Sequence, residues 1–209
     1  MEQAIPLRKK RIGFLASGRG SNFQAVIDAI AAGEIPGIGA GLITDNPRAY
    51  AIERARNGGI PVRVIDYAEF PSKAAYEEEL LAAMRDFQAD LFVLAGYMRI
   101  LGQEIVREFS GRMMNIHPAL LPAFPGLHAQ RQAIDYGVKV AGCTVHLVDD
   151  GTDTGPIVIQ RCVPVLQDDD ETALANRILT EEHRALPLAV KLFCEDRLIV
   201  EGRRVRIRP

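Results

Sequence analysis

The stretch Met113-Met-Asn-Ile-His-Pro-Ala-Leu-Leu-Pro-Ala-Phe-Pro-Gly126 decides how the fold around it is interpreted. A short apolar run leads to the amide of Asn115 and the imidazole of His117, which share one face of a strand because side chains alternate along it. Three prolines and a glycine then keep the next segment extended and non-helical. These residues are equally compatible with two interpretations. They could supply two hydrogen-bond donors that converge beside a stiff loop, or they could form a structural strand end capped by a proline-rich turn.

Apolar runs alternate with helical segments on both sides of this stretch and predict a doubly wound, Rossmann-like α/β domain. The predicted strands are 11–16, 38–44, 61–65, 91–95, 113–116, 141–148 and 157–165. The predicted helices are 23–32, 49–57, 73–87, 103–109, 129–136 and a long C-terminal helix, 171–194. Because most of the strands contain few polar residues, they favour a mostly parallel central sheet of about seven strands, flanked by helices on both faces.

The two ends of the chain add little to this sheet. Residues 198–200 and 205–207 predict a small terminal hairpin, and Pro187 should bend or interrupt the long helix. Residues 1–10 are expected to be a disordered N-terminal extension. Residues 11–209 contain no repeat, low-complexity tract or long linker, so they are predicted to form a single domain.

Composition excludes several classes of protein. The chain has 209 residues, of which 48% are hydrophobic and 25% charged, as is usual for one globular domain. Its formal net charge of −2 gives no electrostatic case for a nucleic-acid partner. Three widely spaced cysteines argue against a disulfide framework. No apolar run approaches the roughly 20 residues of a membrane span. We therefore expect a cytoplasmic protein with reduced thiols and no membrane partner.

The loop after the first predicted strand, Ser17-Gly-Arg-Gly-Ser-Asn22, has the composition of an anion site. Glycines let backbone amides curl toward an anion, and the following helix contributes its N-terminus. Gly18 and Gly20 match the start of the dinucleotide fingerprint, and Asp45 could serve as its ribose-binding acid, so a dehydrogenase is one alternative. Phe23 stands at the third glycine position, which favours a single phosphate. A plain tight turn is the remaining alternative.

A polar loop between the last two strands of the sheet carries Asp149, Asp150 and Asp153. The calcium-loop pattern is absent and no histidines have zinc spacing, so no metal site is predicted. A carboxylate beside an imidazole favours the charged form of the ring. If Asp153 lies beside His117, the charged ring and the nearby Asn115 would together form a two-donor site for an oxyanion.

The other three histidines carry weaker signals. His128 and His146 are equally compatible with structural and functional roles. His183 follows two glutamates on the long helix and is expected to be a surface or packing residue.

Five separated motifs together resemble the folate-dependent formyltransferase family, in particular the glycinamide ribonucleotide formyltransferases of purine biosynthesis. The motifs are Ser17-Gly-x-Gly-Ser-Asn22, Leu94-Ala-Gly-Tyr-Met-Arg-Ile-Leu101, Asn115-Ile-His-Pro-x-Leu-Leu-Pro122, Pro125-Gly-Leu-His128 and Asp153-x-Gly-Pro156. The resemblance covers nearly the whole chain. It implies a single-domain formyltransferase fold and an enzyme that transfers the formyl group of 10-formyltetrahydrofolate, its co-substrate, to the amine of 5'-phosphoribosylglycinamide.

The resemblance also implies which residues form the site. The catalytic residues would be Asn115, His117 and Asp153. The phosphate and amine of the ribonucleotide would be bound by Gly20, Ser21, Asn22 and Glu182. The folate would be bound by Lys73, Met98, Arg99, Ile100, Leu101, Asn115, Asp149, Asp150 and Asp153. Lys73 departs from those members that carry an arginine at this position. The expected partners are small-molecule substrates, and the protein would be a monomer or a homodimer.

Two further functions stay open at this point. The same motifs occur in formyltetrahydrofolate deformylases, which carry an additional N-terminal domain, whereas only ten residues precede the first predicted strand here. A non-catalytic, Rossmann-like module that binds a nucleotide or phosphate would need the glycine loop, but it would not need a charged donor pair. The transferase is therefore favoured over both.

Overall fold

The computed structural model describes residues 8–209, which form one nine-stranded sheet covered by helices on both faces. The strands are β1 (Lys10–Leu15), β2 (Gly37–Thr44), β3 (Val62–Val64), β4 (Leu91–Leu94), β5 (Met113–His117), β6 (Val140–Leu147), β7 (Ile157–Pro164), β8 (Leu198–Glu201) and β9 (Arg204–Ile207). The helices are α1 (Ser21–Ala31), α2 (Ala51–Asn57), α3 (Lys73–Phe87), α4 (Gln103–Glu108), α5 (Ala129–Tyr136) and α6 (Glu171–Cys194), and Tyr67–Glu69 form a short 3-10 helix.

The sheet has the strand order β3-β2-β1-β4-β5-β6-β7-β9-β8. Strands β1 to β5 are parallel, whereas β6 runs antiparallel to both β5 and β7. The chain winds outward from β1 to β3 and then returns to the other side of β1 at β4. In open α/β sheets, ligands bind at such a reversal, outside the carboxyl ends of the strands. The glycine loop follows β1 at this point.

Alternation along the central strands divides the core into two layers. Phe14 of β1 and Val93 of β4 belong to the layer that packs under α1, α2 and α6. Leu15 and Phe92, each one residue away, belong to the layer under α3 and α4. Both layers are closed to solvent, which explains why these strands are apolar on both faces.

The starts of the two longest helices are fixed by side-chain caps. The Ser72 hydroxyl accepts a hydrogen bond from the Ala75 N–H at the start of α3, at 3.2 Å. The Asp170 carboxylate accepts one from the Ala173 N–H at the start of α6, at 2.7 Å. Each cap satisfies a donor that the first helical turn leaves unpaired. Helix α6 then continues through Pro187 to Cys194 without interruption.

The predicted fold class is confirmed, and the predicted hairpin joins the sheet. Strand β9 pairs with β7 through Ile157 and Arg204 and antiparallel with β8, so the seven predicted strands and the hairpin form a continuous sheet. Of the N-terminal extension predicted to be disordered, residues 1–7 lie outside the described residues, and Lys10 begins β1. None of the helices in the described part of the chain is long and apolar enough to cross a membrane.

Candidate active site

Strand β5 ends in the two side chains that the sequence singles out. In the antiparallel pairing with β6, Asn115 lies opposite His146 and His117 lies opposite Thr144. His117 is buried, with 5% of its surface exposed, and Asn115 is half-buried. The strand therefore presents both side chains at the carboxyl end of the parallel part of the sheet, on the same edge as the glycine loop after β1.

Both ring nitrogens of His117 face hydrogen-bond acceptors. Its Nε2 lies 2.8 Å from the carbonyl oxygen of Phe124. Its Nδ1 lies 3.3 Å from Oδ2 of Asp153. A neutral imidazole has one donor, whereas the charged ring has two. A carbonyl oxygen can only accept, so the contact with Phe124 places a donor at Nε2, and the Asp153 carboxylate lies beside the other ring nitrogen.

Asp153 accepts hydrogen bonds through both carboxylate oxygens. The Gly126 N–H donates to Oδ2 at 2.9 Å, and the Asn115 amide donates to Oδ1 at 3.3 Å. Burial by itself raises the pKa of Asp153, but contacts with His146, the Gly126 N–H and His117 outweigh it and lower the pKa below its ordinary value. The carboxylate is therefore charged at neutral pH. Its backbone is left-handed, with φ of 54°, a conformation that aspartate and asparagine tolerate.

His146 is the site residue that sequence reasoning left undecided. Its ring is buried, and its Nδ1 lies 2.9 Å from the Leu147 carbonyl, which assigns the proton to Nδ1 in the neutral ring. Its Nε2 lies 3.3 Å from the amide nitrogen of Asn115 and 3.6 Å from Oδ1 of Asp153. The sequence could have indicated His146 only if the register of β6 against β5 had been known, because that register places His146 opposite Asn115.

A buried hydroxyl fixes the proline segment that follows β5. Thr144, which is fully buried, donates to the Ala119 carbonyl at 2.7 Å and accepts from the Leu121 N–H at 3.0 Å. The Gln160 amide reinforces this connection by donating to Thr144 and to the Leu121 carbonyl. The segment that carries the Phe124 carbonyl is thus attached to β6 through the side chain that lies opposite His117.

The glycine loop turns tightly against α2. Gly20 has a φ of 65° and is the N-cap of α1. A Cβ at this position would lie 2.7 Å from the Cβ of Ala51, so only glycine fits both the conformation and the contact. Ser21 and Asn22 begin the helix, where the first N–H groups have no intrahelical partner. Three of the predicted phosphate-binding residues therefore present free backbone donors at a helix N-terminus.

Asn22 connects this loop to α6. Its amide nitrogen donates to the Glu182 carboxylate at 2.6 Å, while its amide oxygen is buried and has no hydrogen-bond partner within residues 8–209. Burial raises the pKa of Glu182, and the hydrogen bond from Asn22 opposes that effect only in part. The four residues predicted to bind the ribonucleotide therefore lie together, with a buried acid and an unused amide oxygen beside the anion-binding turn.

A cavity of about 300 Å³ lies between the segment after β4 and α3. It is lined by five residues that the resemblance implies for the folate: Lys73, Met98, Arg99, Ile100 and Leu101. Its other lining residues, Tyr67, Tyr76 and Glu77, were not predicted. The sequence offers no local signal for these three, because they come from a separate part of the chain.

The remaining predicted folate contacts do not line this cavity. Asp149 accepts from the Gly151 N–H and the Thr154 hydroxyl, and so shapes the loop that carries Asp153. Asp150 is exposed. Across residues 8–209, no group of three or more His, Cys, Asp or Glu side chains could hold a metal ion.

A second and larger cavity, of about 670 Å³, lies between α1 and α6 and contains His183. None of the predicted catalytic or ligand-binding residues lines it. We place the candidate site at the carboxyl edge of the sheet, because the donor side chains and the anion-binding turn lie there. The larger cavity is not lined by any of those residues.

The arrangement is suited to chemistry at a carbonyl group. Asn115 and His117 supply two donors, and the Asp153 carboxylate contacts both side chains. Donors of this kind stabilise the negative charge that develops on a carbonyl oxygen when a nucleophile attacks. The anion-binding turn lies on the same edge of the sheet and can hold a phosphorylated substrate.

Comparison with known proteins agrees with this chemistry. A family model described as "Formyl transferase" matches residues 10–190. A phosphoribosylglycinamide formyltransferase from Mycobacterium tuberculosis is 45% identical over 198 residues, which cover 95% of this chain and 91% of that protein. The crystal structure of glycinamide ribonucleotide transformylase 1 from Symbiobacterium toebii is 49% identical, with a TM-score of 0.96 and 99% of each chain covered.

Similarity also extends to a longer protein. A trifunctional purine biosynthetic protein adenosine-3 from Drosophila melanogaster is 44% identical over 202 residues, which are 95% of this chain. The chain spans only 15% of the length of that relative.

Proposed function

This chain belongs to the formyl transferase family, and from that membership we propose that it transfers the formyl group of 10-formyltetrahydrofolate to the amine of 5'-phosphoribosylglycinamide, in de novo purine biosynthesis. The single observation that carries the proposal is the position of Asp153. Its carboxylate contacts both Asn115 and His117 at the carboxyl end of β5. The phosphate-type loop and the cavity after β4 lie on the same edge of the sheet.

The reaction is a direct transfer without a covalent enzyme intermediate. The neutral amine attacks the formyl carbon, a carbon–nitrogen bond forms, and negative charge collects on the formyl oxygen. Asn115 and charged His117 donate to that oxygen, and Asp153 keeps the ring of His117 charged and aligned. The bond between the formyl carbon and the folate nitrogen then breaks, and the proton lost by the amine goes to that nitrogen.

Binding of the formyl oxygen must redirect donors that are now used inside the protein. The Nε2 of His117 donates to the Phe124 carbonyl at 2.8 Å, and the Asn115 amide donates to Asp153 and His146 at 3.3 Å. The two amide contacts are longer than the usual 2.9–3.0 Å. Long contacts of this kind are common before substrate binds and tighten or exchange when it arrives.

Two groups are available for the ribonucleotide. The free N–H groups at the start of α1 suit its phosphate, which gains from the helix dipole. The buried amide oxygen of Asn22 and the carboxyl group of Glu182 suit its amine and ribose hydroxyls, since each can accept a hydrogen bond. The cavity after β4 suits the folate, and Lys73 at its edge supplies a positive charge for an acidic tail.

The test follows consumption of 10-formyltetrahydrofolate by the purified protein with and without 5'-phosphoribosylglycinamide. We expect consumption only when the acceptor is present, with equimolar formation of the formylated ribonucleotide. Turnover without acceptor would instead identify a deformylase-like hydrolase. Binding of the ribonucleotide with no turnover under either condition would identify a nucleotide-binding module.

Two further expectations belong to this proposal. The substrates are small molecules, and the protein is a monomer or a homodimer. A cytoplasmic location follows from the same pathway and from the reduced thiols expected from the sequence.

A further inference from the structure

The segment between β4 and α4 shapes one wall of the candidate folate cavity, yet two of its apolar side chains do not anchor it. Met98 is 64% exposed and Ile100 is 71% exposed. The segment has no regular secondary structure and begins with Gly96 at a φ of 78°. Its conformation must therefore be held by other contacts.

One anchor is a pair of hydrogen bonds to the start of the glycine loop. The Met98 N–H donates to the Ser17 hydroxyl at 2.9 Å, and the Ser17 N–H donates to the Gly96 carbonyl at 3.1 Å. The Asn46 amide in turn donates to the Ser17 carbonyl at 3.1 Å. These bonds fix the beginning of the segment but leave Arg99 and the residues after it to another contact.

The second anchor is an ion pair that crosses β1. The Nε of Arg99 lies 2.6 Å from Oδ2 of Asp45, which follows the last residue of β2. The two atoms are at ion-pair distance, although their angle does not meet that of a hydrogen bond. Asp45 is 7% exposed, and its Oδ1 has no hydrogen-bond partner among the described residues. A buried carboxylate is strongly destabilising when its paired cation is removed, so the folded state relies on Arg99 to compensate the charge of Asp45.

Two tyrosines hold the guanidinium from the side of the cavity. The central carbon of Arg99 lies 3.6 Å from the ring centre of Tyr67 and 5.8 Å from that of Tyr76. Both distances allow attraction between the cation and the ring faces. The Tyr76 hydroxyl is hydrogen-bonded to that of Tyr97, and burial raises the pKa of Tyr76 to about 12. At neutral pH the Tyr76 ring is therefore uncharged.

From this geometry we propose that Asp45 is a positioning residue of the folate cavity, acting through Arg99. Asp45 does not line the cavity itself, whereas Arg99 and its neighbours do. Pairing with Asp45 holds the Arg99 side chain against Tyr67, and the backbone of residues 98–101 is thereby held in the shape that the folate meets. The inference rests on the proposed function, because it assigns the cavity to the folate substrate. It also gives Asp45 a different role from that of a ribose-binding acid.

The first test is Asp45→Asn, which keeps the size of the side chain and removes its charge. We expect the KM for 10-formyltetrahydrofolate to rise about tenfold, with the KM for the ribonucleotide and kcat within about twofold of the unsubstituted protein. A tenfold change corresponds to about 1.4 kcal/mol of lost binding. The matched control is Glu79→Gln, which breaks the exposed Arg63–Glu79 ion pair and should change neither KM.

A second variant separates positioning from stability. Asp45→Asn combined with Arg99→Met leaves no buried charge, and replacing a buried ion pair in this way is often neutral for stability. Because Arg99 itself lines the cavity, Arg99→Met alone is measured beside it: if Asp45 acts through Arg99, the double variant should have the same raised folate KM as Arg99→Met, with no further rise from Asp45→Asn. A folate KM within twofold of the unsubstituted protein, or an equal rise in both KM values, would overturn the inference. Loss of the proposed function is a different result, since the unsubstituted protein would then show no acceptor-dependent turnover.

Discussion

The Nδ1 atom of His117 lies 3.3 Å from Oδ2 of Asp153, while the Nε2 atom of the same ring lies 2.8 Å from the Phe124 carbonyl. The two acceptors lie on opposite sides of the ring, and the Phe124 carbonyl accepts a hydrogen bond from Nε2. The Phe124 carbonyl, in the proline segment, is thus bonded to Nε2, the donor that the proposed reaction requires for the formyl oxygen. The segment following β5 therefore helps to orient the ring of His117 before any substrate binds.

Removing the ring of His117 should abolish transfer and leave ligand binding almost intact. His117→Ala deletes one of two donors to the developing oxyanion, and such a loss typically lowers kcat by about 10²–10³-fold. The Kd values of both substrates, measured by calorimetry, should change by less than about threefold. His183→Gln is the control, because His183 lines the cavity between α1 and α6. Near-normal turnover in His117→Ala would remove the mechanism.

Asp153→Asn tests the charge of the carboxylate without changing its shape. Asparagine tolerates the left-handed backbone at this position, so the loop should be retained. We expect kcat to fall on the order of 10²–10⁴-fold, because His117 loses the group that keeps it charged and aligned. Asp135→Asn, which breaks an exposed ion pair with Arg131, is the control.

The stability of Asp153→Asn should also depend on pH. The pKa of Asp153 is lowered from 3.8, so its charged form contributes stability above that value and loses it as the pH falls through the lowered pKa. The difference in unfolding free energy between the two proteins should be greatest at neutral pH and should shrink below about pH 3.8. A constant difference from pH 7 to pH 3 would contradict this assignment.

Glu182→Gln should stabilise the fold and weaken binding of the ribonucleotide. Burial raises the pKa of Glu182 above 4.5, so ionising it costs stability as the pH rises through the raised value. The variant should therefore be more stable than the unsubstituted protein at pH 8 and equally stable below pH 4.5. Thermal unfolding across this range measures the effect, and Glu181→Gln, which breaks a pair with Arg184, is the control.

Three glycine variants separate steric contact from backbone strain in the phosphate loop. Gly20→Ala brings a Cβ to 2.7 Å from Ala51 at a φ of 65°, so the KM for the ribonucleotide should rise at least about tenfold. Gly59→Ala has the same φ but no atom within 4 Å, and should cost only about 1 kcal/mol of stability. Gly18→Ala meets nothing within 4 Å and has no positive φ, so it should change neither. Equal kinetics for all three variants would show that the loop does not bind the ribonucleotide.

Thr144→Val should reduce both stability and turnover. The substitution is close in shape but leaves the Leu121 N–H without its acceptor and the Ala119 carbonyl without its donor. Each buried group left unpaired costs about 1–3 kcal/mol. Thr180→Val removes an exposed hydroxyl that bonds within α6 and serves as the control. If the proline segment stays in place without the Thr144 hydroxyl, kcat will not fall, and denaturant unfolding will show the stability change alone.

Local patterns in the sequence are sufficient to predict most of the elements. Helices α3, α5 and α6 have the predicted bounds, and Ser72 and Asp170 are capping residues that can be recognised without a structure. Each strand end lies within one residue of its predicted position. The glycine loop and the β5 motif can be recognised in the sequence because each is a short and continuous piece of chain.

Features that depend on long-range contacts could not be predicted in this way. His146 becomes part of the site only through the register of β5 against β6. Likewise, Tyr67 meets Arg99 only because the short 3-10 helix before α3 packs beside the segment after β4. Asp45 pairs with Arg99 across an intervening strand, and the spacing of residues along the chain does not predict this pairing.

The antiparallel pairing of β6 with β5 also has a consequence for protein synthesis. A nascent chain that has emerged only as far as β5 already contains the anion-binding turn, the β4 segment, Asn115 and His117. It lacks His146, Asp153 and Glu182, which follow later. A chain truncated at that point would have no carboxylate to hold His117, so catalytic competence would arise only when the residues after β5 have left the ribosome and completed the sheet.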